Sequence, residues 1–135
     1  MKTRFKLDNF SQLVVVKETL NLDFPIGYDF YLTDDVRFSI LTGSHYNSAE
    51  LGTVEVALMY KEHFVFGDET HEPEEEIKTT FGVRECSDDS IIHYLTFDDF
   101  ITMMAMFEIL QLKKAMAIEE IVLLFLTFYY RAKNN

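Results

Sequence analysis

A chain of 135 residues, 48% hydrophobic and 15% aromatic, has enough apolar material for one folded domain and is not globally disordered. Its formal charge of −11 disfavours direct nucleic-acid binding, which needs Lys and Arg to displace counterions from phosphates. One cysteine, Cys86, excludes an internal disulfide framework and suits a reducing compartment.

The N-terminal "MKTRFKLDNF" has positive charges without an apolar stretch behind them, so it does not read as a secretory signal. In "RFKLD", Phe5 and Leu7 alternate with charged residues, which predicts a strand. "QLVVVKETL" fits both periods, and its three consecutive valines favour a strand. Pro25 and Gly27 then break the chain before a strand in "YDFYLT". Asp34–Asp35 reads as a turn into "VRFSILTG", where Val36, Phe38 and Ile40 share one face.

"TGSHYNSAELG" is a loop by composition, and its polar Ser44, His45, Tyr46 and Asn47 form a candidate ligand site. "TVEVALMY" is a strand with Val54, Val56 and Leu58 on one side. Lys61–Glu62 turns the chain into a short strand in "HFVF", and "IKTTFGVRE" and "IIHYL" are expected as further strands.

Two helices close the pattern. Thr96 caps the first, with Asp98 and Asp99 in its opening turn and Phe97, Phe100, Ile101, Met104 and Phe107 at helical spacing. The second begins near Ala117. Its run from Ile121 to Tyr130 is too short to span a bilayer and is apolar nearly all round. Burial on several sides predicts a homo-oligomer joined through Leu123, Leu124, Leu126, Phe128 and Tyr129; a central core helix is the competing explanation. Strands before residue 95 and helices over 96–133 predict a single α+β domain, a mostly antiparallel sheet with the C-terminal helices packed on it.

The charge is unevenly placed. Residues 50–108 hold fifteen acids and three bases, and Gly67–Glu76 alone contains Asp68, Glu69, Glu72, Glu74, Glu75 and Glu76. The spacing is not that of a calcium loop. His71 beside Glu69 and Glu72 offers metal-type donors, but Pro73 and the surrounding charge suit a solvated loop, and no metal or cofactor is expected. His93 in "HYLT" lacks a phosphoesterase's hydroxyl spacing, and Glu85, Asp88 and Asp89 oppose a reactive Cys86 thiolate. The chain has no phosphate-binding glycine loop and no dinucleotide fingerprint.

The pieces "LTGSHYNS", "VEVAL" and "YLTFDDF" resemble small, mostly uncharacterised bacteriophage-encoded accessory proteins, over residues 28–108. The resemblance implies a viral accessory role in a host cytoplasm and carries over no catalytic residue. The leading expectation is a non-catalytic acidic interaction protein, such as an inhibitor that imitates a nucleic acid and binds a basic host protein surface. Its partner-binding residues would be the six acids above, followed by Asp88 and Asp89. The alternatives are a homo-oligomeric assembly protein and a small enzyme or ligand binder using the His45 loop.

Overall fold

The computed structural model describes residues 4–43, 51–65, 75–76, 91–113 and 117–134. In chain order these form β1 (Arg4–Leu7), a short 3-10 turn (Phe10–Gln12), α1 (Leu13–Thr19), β2 (Ile26–Tyr31), β3 (Val36–Thr42), β4 (Thr53–Tyr60), β5 (His63–Phe64), β6 (Ile91–Thr96), α2 (Phe97–Leu112) and α3 (Ile118–Lys133). The fold is α+β, as its order of strands and helices predicts. The six strands make one sheet. β2, β3 and β4 pair antiparallel in succession, β1 joins β2 in parallel, and β5 and β6 both pair antiparallel with β4.

One segment corrects the sequence reading. "QLVVVKETL" contains a helix rather than a strand. Leu13, Val16 and Leu20 are buried while Val14 and Val15 are exposed, so packing selects the helical period over the β preference of valine. The entry to this helix is fixed locally. The Asn9 side chain accepts from Ser11 N at 3.1 Å, and Gln12 Oε1 accepts from Asn9 N at 3.3 Å, a reciprocal cap.

The helices lie on one face of the sheet. Phe38 in the central β3 is fully buried there, edge-on to Phe107 of α2 at 4.9 Å and stacked with Phe125 of α3 at 6.1 Å. Tyr28 and Phe30 extend this core under α1 and the turn before it. Phe10 packs on Phe30 at 5.0 Å, and the Tyr28 hydroxyl donates to Thr19 Oγ1 at 2.9 Å. Burial pushes the Tyr28 phenol up, and the hydrogen bond to Thr19 only partly offsets it.

β6 carries a bulge. Val54 pairs with Leu95 and Val56 with Ile92, so His93 and Tyr94 together oppose Glu55. Tyr94 takes the left-handed conformation, with φ at 54°. Plain alternation would send Ile92 and Leu95 to opposite faces; the extra residue turns both into the core, where each is buried.

α2 starts as its sequence predicts, with Thr96 Oγ1 accepting from Asp99 N at 3.2 Å. Phe100, Met103, Met104 and Phe107 form its buried stripe. α3 follows Ala117 and buries Ile121, Phe125, Phe128 and Tyr129. No helix among the described residues is long and apolar enough to cross a membrane.

Candidate functional site

In an antiparallel succession of strands, alternate turns fall at the same end of the sheet. The β2–β3 turn at 32–35 and the β4–β5 turn at 61–62 are therefore neighbours, and Lys61 N donates to Asp35 O at 2.8 Å between them. Thr33 fixes the first turn. Its Oγ1 accepts from Asp35 N at 3.3 Å and from Val36 N at 3.1 Å, which leaves the Asp34 and Asp35 side chains in solvent. The second turn is sharp, with Lys61 at φ 52° and Glu62 exposed.

The C-terminal end of the acidic stretch arrives at this same place. Glu76 Oε1 accepts from the Tyr60 hydroxyl and from Lys61 Nζ, both at 3.0 Å. The hydrogen bond from Lys61, with that from Tyr60, holds the Glu76 carboxyl below the usual carboxylate range. Hydrogen bonding to Glu76 in turn raises both Tyr60 and Lys61 above their ordinary values, and the nearby Asp35 adds to both shifts. The two turns and Glu75–Glu76 thus gather Asp34, Asp35, Glu62, Glu75 and Glu76, all exposed, around Lys61. Such a surface can accept hydrogen bonds from Lys or Arg side chains of a partner at several points.

This end is braced from the face of the sheet opposite the helices. Arg37 Nη1 donates to the Lys61 carbonyl, and Arg37 Nε donates to Asp29 Oδ1 at 3.3 Å. Arg4 binds the same carboxylate from the other side, Nε to Oδ2 at 3.1 Å and Nη2 to Oδ1 at 2.8 Å, and also donates to Ser39 Oγ at 2.8 Å. These groups satisfy one another and position the turns.

Of the sequence-derived partner-binding residues, Glu75 and Glu76 are placed here. Asp68, Glu69, Glu72, Glu74, Asp88 and Asp89 lie outside the described residues. So do Ser44, His45, Tyr46 and Asn47, whose flanking Gly43 and Leu51 sit at the opposite end of the sheet. The residues proposed to join subunits divide. Leu123 is 63% exposed and Leu124 and Leu126 are half-buried, whereas Phe128 and Tyr129 are buried in the chain's own core. Asp34, Asp35 and Glu62 were absent from the sequence-derived set. Their signal was available: two acidic turns separated by two strands must share an end of the sheet.

Among the described residues no three His, Cys, Asp or Glu side chains are arranged to hold a metal ion. Comparison with protein-family models, curated proteins and solved structures finds no match.

Proposed function

We propose that this chain is a non-catalytic recognition protein whose acidic sheet end docks on a basic protein surface, of the kind that otherwise grips a nucleic-acid backbone. The observation that carries the reading is the convergence of Asp34, Asp35, Glu62, Glu75 and Glu76 on two turns tied together by the Lys61–Asp35 backbone bond. Fixed carboxylates imitate a phosphate row better than a loose acidic segment, because less ordering entropy is lost on binding. The remaining acids of Gly67–Glu76 add long-range attraction, which speeds encounter with a cationic partner. By occupying the partner's Lys/Arg groove the protein acts as an inhibitor of nucleic-acid handling.

Amide chemical shifts recorded during titration with an oligolysine peptide test the location. The account expects the largest changes at Thr33–Asp35 and Lys61–Glu62. Changes concentrated at Gly43 and Leu51, at the other end of the sheet, would contradict it.

A further inference from the structure

The outward side of α3 has a pattern that neither the core nor the acidic end uses. Glu120, Leu123, Thr127, Tyr130 and Asn134 are all exposed and recur at alternating spacings of three and four, which makes one continuous seam along the helix. Leu123 and Tyr130 are 63% and 49% exposed. The seam borders an open groove of about 300 Å³ between α2 and α3, lined by Met106, Ile109, Leu110, Leu123, Leu124 and Thr127. Met106 and Ile109 add exposed apolar area from α2.

The charged groups on and beside this seam say what covers it. The first turn of α3 holds Glu119 and Glu120, and its last turn holds Arg131 and Lys133. A helix that is acidic at its start and basic at its end is self-complementary when a second copy runs antiparallel to it. With a two-fold axis at the level of Phe125, Leu123 meets the second copy's Thr127 and Glu120 meets its Tyr130, while Glu119 faces its Lys133 along one edge of the seam. Glu119 and Lys133 are both exposed and, fourteen residues apart, lie on the same edge of the seam. The Thr127 hydroxyl donates back to Leu123 O at 2.8 Å, which satisfies it within the helix and leaves its methyl group to pack on leucine. Antiparallel helix dipoles favour the same arrangement.

We infer that this seam and the adjoining groove bind a second copy of the chain, α3 against α3 in antiparallel register, so that α2 and α3 of both copies form a four-helix layer. The acidic sheet ends take no part in the contact, so the inference stands apart from the recognition function and its test leaves those acids unchanged.

The experiment combines sedimentation with cysteine cross-linking in a Cys86→Ser background. At about 50 µM, where a specific dimer is populated, wild type is expected to sediment at twice the chain mass. Leu123→Glu is expected to sediment as a folded monomer, its fold checked by circular dichroism. Single variants Leu123→Cys and Thr127→Cys, mixed in equal amounts and oxidised, are expected to give a covalent dimer. Each variant alone is expected to cross-link slowly, because like positions then sit beyond the roughly 7 Å that a disulfide spans. A monomeric wild type, a dimer that survives Leu123→Glu, or equal cross-linking by each variant alone would overturn the inference.

Discussion

Arg4 on β1 reaches over Gly27 to grip Asp29 of the neighbouring β2 at two points, with Nε to Oδ2 at 3.1 Å and Nη2 to Oδ1 at 2.8 Å. The route exists because position 27 is glycine. A Cβ there would lie 2.6 Å from Arg4 Nη1. Gly27→Ala must shift the guanidinium and weaken its hold on Asp29 and Ser39. Thermal unfolding should show a loss of about 1–2 kcal/mol, moderated because the Arg4 side chain is partly in solvent. An Ala variant as stable as wild type would show the contact to be incidental.

The same carboxylate predicts a pH dependence. Burial pushes Asp29 up, but hydrogen bonds from Arg4 and Arg37 and their positive charges outweigh it, so its pKa falls below the ordinary 3.8. A carboxyl depressed by folding contributes stability that is complete above its unfolded pKa and is lost as pH falls through the folded value. The stability gap between wild type and Asp29→Asn should therefore be constant near neutrality and narrow once the pH drops below about 4. Melting temperatures from pH 7 to pH 3 check this; a gap that widens on acidification contradicts it.

Gly43 ends β3 at φ 102°, and a Cβ there would lie 2.5 Å from the Phe24 carbonyl oxygen. Both the conformation and the contact oppose a side chain. Gly43→Ala should cost about 1–3 kcal/mol in denaturant unfolding. A neutral effect would mean the turn reorganises freely.

Much of the fold was legible in the sequence because its signals were local. Thr96 followed by Asp98 and Asp99 marked the start of α2, and alternation in "TVEVALMY" marked β4. The helix at Leu13–Thr19 was hidden because its deciding contacts, Val16 and Leu20 against the sheet, are long-range. The bulge at His93–Tyr94 was hidden for the same reason: only pairing with β4 requires both Ile92 and Leu95 to face inward. On α3, composition showed that the helix is apolar nearly all round, but not that Phe128 and Tyr129 turn inward while Leu123 turns out. At the candidate site the acids of Gly67–Glu76 were conspicuous as a run. Asp34, Asp35 and Glu62 join them only through topology.

Lys61 is the base that holds Glu76 in the acidic end, and it takes a left-handed conformation that asparagine tolerates. Lys61→Asn should keep the turn, release Glu76 and make the surface more negative. Affinity for an oligolysine peptide should rise about two- to five-fold, as expected for one exposed charge. Fluorescence anisotropy measures it, and weaker binding would count against the acidic end as the docking surface.

The most direct measurement is the association rate with a fluorescent oligolysine peptide, by stopped flow, at about 20 mM and 200 mM salt. It compares wild type with a variant carrying Asp34→Asn, Asp35→Asn, Glu62→Gln and Glu76→Gln. If the sheet end steers and holds a basic partner, the variant associates roughly ten-fold more slowly at low salt, and the two rates converge at high salt. Equal rates at low salt would show that the acids at these turns take no part in recognition.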